Sequence, residues 1–416
     1  MKKLLGRFRK EKIDLAEEIK ATQPDYIVYA PKRMAGDDTG NEHFLVFEGP
    51  GDSLMAVWTQ SSAEGSRNQR IVFSKSSDEG VTWDKPRVIV SQKSLPASWG
   101  FPMVSENGRI YVLYNKHVGL HDTFFHITGL MAGLYSDDAG KSWSESQVIE
   151  MPRSIHDNPD SCYPSNWIVW QKPIRLSQGK YFAGFTRWVS EAIRHEPPVN
   201  NWSAHESVVE FMRFENIDDD PEPQDIKISY FTSNEDALRV GFPGHNEVSV
   251  VQEPSIVSLP DGRLFTVMRT ATGNPYYSIS GDNGVTWSKP EVLKREDSGP
   301  EIQHPISPCP IFQVSESKYI FFYHDHDGHY KNYGPLDTMY HRRPIYISVG
   351  NYTKDAHQPI WFSEPRFFMD HTGNGLGPQK RHDLALYSSF TRGILWYPDR
   401  KFFLLGRKIT GEYLNG

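Results

Sequence analysis

The segment Tyr323-His324-Asp325-His326-Asp327-Gly328-His329 concentrates imidazole and carboxylate groups, the donor types that ligate metal ions or hydrogen-bond polar ligands. In a strand, His324 and His326 share a face. Ligand types alone do not fix a coordination geometry, so contact with substrate hydroxyls is the favoured reading and no cofactor is expected. His117, His121 and His126 in NKHVGLHDTFFHITG, and Arg187-Trp188 in GFTRWVS, are further groups suited to a binding rim. Cys162 and Cys309 form no CxxC pair and read as buried thiols.

These side chains need a scaffold, and the chain supplies one by repetition. Short alternating runs bounded by Gly, Asp, Asn and Pro (HFLVFEG, SLMAVWTQ, RIVFSKS, RIYVLYNK, KYFAGFTRW, RLFTVMRT) set an all-β rhythm from about Tyr26 onward. Three turns share one chemistry: Ser76-Ser-Asp78-Glu-Gly80-Val-Thr82-Trp83, Ser136-Asp-Asp138-Ala-Gly140-Lys-Ser142-Trp143 and Ser280-Gly-Asp282-Asn-Gly284-Val-Thr286-Trp287. In each, the Asp can accept from backbone N–H groups, the Gly tolerates positive φ and the Trp packs beneath. Asp78, Asp138 and Asp282 are therefore turn builders and not catalysts. The interval between Trp143 and Ser280 leaves room for at least one unit without the motif, and a degenerate turn is expected after SVGNY near Ser348.

Composition excludes several function classes. A net charge of −7, with no basic block beyond the first twenty residues, lacks the footprint of a nucleic-acid binder. No apolar run approaches the roughly 20 residues of a membrane span. The N-terminal apolar run stops at Leu5, so no signal-peptide core follows and a cytoplasmic location is expected. Lys10 to Ala21 carries Ile13, Ala16 and Ile19 at helical spacing, which predicts a leading helix. The acidic stretch Asn216 to Asp225 reads as a solvated loop.

The three octapeptides resemble the Asp boxes, or BNR repeats, of the sialidase superfamily. The resemblance implies an all-β, six-bladed β-propeller over residues 26–416 behind a helical extension at 1–25, with the boxes on the rim and the site over the central axis. A glycan or oligosaccharide is the partner it implies.

The resemblance also assigns roles. Glu253-Pro-Ser-Ile-Val-Ser-Leu-Pro-Asp-Gly-Arg-Leu-Phe-Thr-Val-Met-Arg269 looks like the family's hairpin carrying a glutamate and a clamping arginine, with Glu253 as the base of a tyrosine nucleophile. Asp383-Leu-Ala-Leu-Tyr387-Ser388-Ser389-Phe390-Thr391 resembles the nucleophile segment, with Tyr387 as the nucleophile. His341-Arg342-Arg343-Pro344 lies where the family places another clamp arginine; Arg343 is the first choice and Arg342 the alternative. Glu64 corresponds in spacing to the acid/base residue before the first box. Arginine suits a carboxylate clamp because its planar fork meets both oxygens, and a phenol needs a neighbouring carboxylate to take its proton.

One departure stands out. Typical sialidases open the first blade with Arg-Ile-Pro and the first clamp arginine, whereas this chain has Gly40-Asn41-Glu42-His43-Phe44. The expectation is therefore an exo-acting, retaining, sialidase-like hydrolase of a terminal acidic sugar. The alternatives are a lyase or hydrolase acting on uronate-containing glycans such as rhamnose–glucuronate, with His43 as base, and a non-catalytic sugar-binding propeller.

Overall fold

The computed structural model describes residues 13–384 and 386–414. Among them, six antiparallel sheets form the blades of a propeller. Their innermost strands are Gly40–Gly49, Ala97–Val104, Trp167–Ile168, Val251–Ser258, Ile311–Ser315 and Ser389–Thr391. The ring closes where Tyr26–Tyr29 becomes the outer strand of the sixth blade, with Tyr26 opposite Gly406 and Ile27 opposite Leu405. A propeller strand is covered by blades on both faces, which is why Ser53–Ser61 is buried throughout and not on alternate residues alone.

Each Asp box builds its own turn and docks it on the preceding blade. Asp78 accepts from the Thr82 amide at 2.9 Å and the Thr82 hydroxyl at 2.6 Å, while Ser76 Oγ accepts from the Gly80 amide at 2.9 Å. The same bonds recur around Asp138 and Asp282. Trp83, Trp143 and Trp287 then pack against Trp396 of blade six, Phe73 of blade one and Phe211 of blade three. Gly284, at φ +86°, leaves no room for a Cβ, which would meet the Phe182 ring at 2.2 Å. The third blade carries no box, and the turn after Tyr352 into Ile360–Phe362 does without the motif.

Three innermost strands share an irregularity that shapes the axis. The register shifts between Glu42 and Leu45, between Ser98 and Phe101, and between Gln252 and Ser255. The bulged residues His43, Trp99 and Glu253 have φ of 51°, 56° and 55°. A bulge re-aims its side chain, and Thr hydroxyls of neighbouring blades fix two of them: Thr59 accepts from the Trp99 amide at 3.0 Å and Thr186 from the Glu253 amide at 2.7 Å.

Some expectations need correction. The described leading helix is Leu15–Lys20, capped by Asp14; residues 10–12 of the expected span lie outside the described residues. Its Glu18 is buried against Arg400 at 2.6 Å, so the helix is pinned to blade six. The acidic stretch is not simply solvated: Ile217 is buried, Asp218 accepts from the Glu106 amide, and Pro221 O accepts from Tyr111, which seats the loop on blade two. Cys309 is buried, but Cys162 is exposed. No helix of the described residues is long and apolar enough to cross a membrane.

Candidate active site

A pocket of about 320 Å³ opens over the axis, lined by Glu64, Glu253, Arg269, Arg342, Arg381, Tyr387 and Lys401 among polar groups, and by Trp99, Trp188 and Trp202 among aromatic ones. Glu253 reaches it from the bulge of blade four. Its register neighbour Gln252 lies opposite Arg269 across the hairpin, so the Leu-Pro-Asp-Gly-Arg turn delivers glutamate and arginine to one place. Tyr387 arrives from the segment entering blade six.

Within the pocket, Tyr387 Oη donates to Glu253 Oε1 at 2.8 Å. Arg269 Nη1 lies 2.7 Å from Glu253 Oε2 and donates to Tyr387 Oη at 3.2 Å. Gln252 Oε1 accepts from Arg269 Nε at 3.0 Å and holds the guanidinium in place. Burial, and then the Glu253 carboxylate, push the Tyr387 phenol above its ordinary range. Burial also pushes Glu253 up, against the opposing pull of Arg269. The raised phenol keeps its proton, and Glu253 already accepts it.

Arg342 has a different environment. It is 2% exposed, and it donates from Nη2 to Ile306 O at 2.6 Å, while its Nε has no partner among the described residues. Its guanidinium and that of Arg269 stand 5.6 and 5.5 Å from the Trp202 ring centre. A buried guanidinium without a carboxylate partner is costly unless a ligand supplies the negative charge.

The opposite wall is an ion network. Glu64 accepts from Lys401 Nζ at 2.5 Å and from Arg381 Nη1 at 2.5 Å, and Arg381 is gripped by Asp383 through bonds of 2.8 and 2.7 Å. Burial pushes Glu64 up, but Lys401 and Arg381 outweigh it and hold the carboxyl well below the usual carboxylate range. Lys401 also stands 4.7 Å over the Tyr387 ring.

The structure therefore brings Glu64, Glu253, Arg269, Arg342 and Tyr387 together, with His126 of the expected rim beside them, and leaves His117, His121 and five further expected residues outside the pocket lining. Arg343 turns away from the pocket, to Asp370 at 2.7 Å and His371 O at 2.8 Å, so the alternative Arg342 takes its place. His43 is buried 5.0 Å from Trp99, outside the pocket lining, and burial pushes its imidazole down to about 3. Arg187 is buried between Asp157 at 2.9 Å and Glu210 at 3.0 Å; strand alternation sends its neighbour Trp188 to the pocket instead. The strand before the histidine run ends at Tyr323, so His324 and His326 sit in a loop and bond Pro344 O and Arg343 O. Among the described residues, no group of three or more His, Cys, Asp or Glu is arranged to hold a metal ion.

Sequence reasoning missed Arg381, Lys401 and Trp202. Arg381-His382-Asp383, just ahead of Tyr387, was the one local signal; Lys401 sits in a hairpin turn between Arg400 and Phe402, where nothing local marks it.

The architecture is similar to several solved structures. A protein of unknown function from Dyadobacter fermentans matches with TM-score 0.58 at 14% identity, over 92% of this chain and 96% of that one. A Hadza microbial sialidase matches with TM-score 0.58 at 14% identity, over 90% of this chain and 66% of the other. The intramolecular trans-sialidase from Ruminococcus gnavus, solved with oseltamivir carboxylate, matches with TM-score 0.56 at 13% identity, over 93% and 98%. At these identities the likeness is one of fold. No curated protein sequence matches the chain. The family model described as BNR repeat-like domain matches residues 52–401, a span that runs from the first blade into the last, and the chain belongs to that family.

Proposed function

We propose that the chain is a retaining exo-glycoside hydrolase of a terminal acidic sugar. The observation that carries this reading is the Tyr387–Glu253 hydrogen bond of 2.8 Å beside Arg342, whose guanidinium lacks a carboxylate partner among the described residues. The sugar's carboxylate lies between Arg342 and Arg269. Tyr387 Oη attacks the anomeric carbon while Glu253 takes its proton, and Glu64 serves the leaving-group oxygen. Water then releases the sugar from Tyr387. The pocket volume, near the low end of the roughly 300–1,000 Å³ of small-ligand sites, suits a single terminal unit. Elimination through His43 is disfavoured because that ring lies outside the pocket lining.

Mass spectrometry of products formed in ¹⁸O-water from an aryl sialoside, an aryl glucuronide and rhamnose–glucuronate oligosaccharides tests the reading. One ¹⁸O in the released acidic sugar is expected from at least one of them. An unsaturated product from any, or no product from all three, overturns it.

A further inference from the structure

We propose that Glu42 and Glu64 work as one carboxyl pair sharing a single proton, in which the buried Glu42 keeps that proton available to Glu64, the member facing the pocket. Glu42 is thus a positioning residue, and its role rests on the hydrolase reading above.

Glu42 lies on the innermost strand of blade one, 3% exposed and outside the pocket lining. Its Oε1 accepts from Gln69 Nε2 at 2.7 Å and its Oε2 faces Lys401 Nζ at 3.4 Å, the same ammonium that binds Glu64 at 2.5 Å. The two buried carboxyls thus share one ammonium. Two carboxyls held this close in a buried site favour a state in which one of them keeps its proton.

The ion pairs of the cluster leave one negative charge over, with Arg342 adding only a more distant pull on Asp383. Three acids, Glu42, Glu64 and Asp383, meet two cations, Lys401 and Arg381. The neighbouring Arg400 adds nothing to the balance, because Asp399 and Glu18 occupy it. His126 and Tyr387, the other titratable groups near Glu64, stay neutral, burial pulling the imidazole below its ordinary range and pushing the phenol above its own. Burial, reinforced by Glu64, pushes Glu42 up to about 8.

In the first chemical step, the Tyr387 oxygen bonds to the anomeric carbon and its proton passes to Glu253. The glycosidic C–O bond breaks toward the leaving oxygen, which takes the pair's proton through Glu64. The pair is then doubly ionised beside Lys401 and Arg381. In the second step a water oxygen bonds to the anomeric carbon and the Tyr387–carbon bond breaks. The water's proton returns to the pair and Glu253 hands back the phenol's.

Difference infrared spectroscopy of the whole protein tests the pair without any substrate. A carboxylic-acid carbonyl band is expected at neutral pH, ionising with a midpoint near 8, and absent from Glu42→Gln. Gln69→Met removes a donor to the ionised form and should move the midpoint upward; this arm stands even if Glu42→Gln folds poorly. A wild-type protein without a band ionising near 8, a band with that midpoint that survives Glu42→Gln, or a midpoint unmoved by Gln69→Met overturns the pair. On a cleaved glycoside, Glu42→Gln should slow an alkyl leaving group about 100-fold, abolish the alkaline limb of its pH profile and spare a nitrophenyl one. A wild-type pH profile in Glu42→Gln overturns the role in catalysis. If no glycoside is cleaved, the hydrolase reading fails while the infrared result still decides the pair.

Discussion

The hydroxyl of Tyr387, from the segment entering blade six, hydrogen-bonds Glu253, on the bulge of blade four, at 2.8 Å across the propeller axis. Arg269 touches both partners. If this trio forms the reacting centre, Tyr387→Phe and Glu253→Gln should each lower kcat by about 10²- to 10⁴-fold, with Tm little changed in Tyr387→Phe and lowered in Glu253→Gln, which strips the buried Arg269 of its carboxylate. Steady-state kinetics beside thermal unfolding check this; wild-type kcat in Tyr387→Phe rules out the tyrosine nucleophile.

Arg342 and Arg343 should separate binding from stability. Arg342→Ala removes charge-assisted bonds to an acidic sugar, worth about 1.5–3 kcal/mol, so KM should rise about 10- to 100-fold. Arg343→Ala breaks the two bonds to Asp370 and should lower Tm with KM unchanged. Kinetics with an acidic glycoside and calorimetry on both variants decide the assignment.

His43 should affect acid stability and not turnover. Its imidazole is held down to about 3 in the folded chain, against about 6.5 when unfolded. The unfolded state therefore binds a proton that the folded state refuses, and stability is lost as pH falls from about 6.5 toward 3. His43→Asn, which tolerates the positive φ and does not titrate, should flatten Tm against pH in that window and keep neutral-pH activity. Loss of turnover would restore His43 as a base.

Asp282→Ala should weaken the fold alone. It removes the acceptor for the Thr286 amide and hydroxyl, a loss on the order of 1 kcal/mol per hydrogen bond, on the turn that seats Trp287 on blade three. Activity per folded molecule should match wild type. Turnover lost at unchanged Tm would make the box part of the site.

Substrate choice follows from the axis. The chain has no Arg-Ile-Pro segment to supply a further clamp arginine, and Arg269 is already engaged by Glu253. An aryl sialoside should therefore be cleaved slowly or not at all, and a different acidic glycoside faster. Ranking kcat/KM over the two aryl glycosides checks it; a sialoside preference returns the site to the ordinary sialidase pattern.

The sequence by itself determined what closes over short distances. Ser76, Asp78, Gly80 and Thr82 satisfy one another within a single turn, so the three turns are legible as a repeat, and their resemblance to Asp boxes implies the propeller. Glu253 and Arg269 were readable for the same reason, since one hairpin places Arg269 opposite Gln252. Tertiary structure decided the rest. Nothing in the types of Arg342 and Arg343 says which one enters the pocket; that depends on where the chain crosses the axis. The bulge at Glu42–Leu45 buries His43 beside Trp99, and Lys401 meets Glu42 across 359 residues of chain. Ring closure makes neighbours of the first and last blades, and electrostatic pairs formed by such closure leave no local pattern, because each partner's own neighbours satisfy only their own turn.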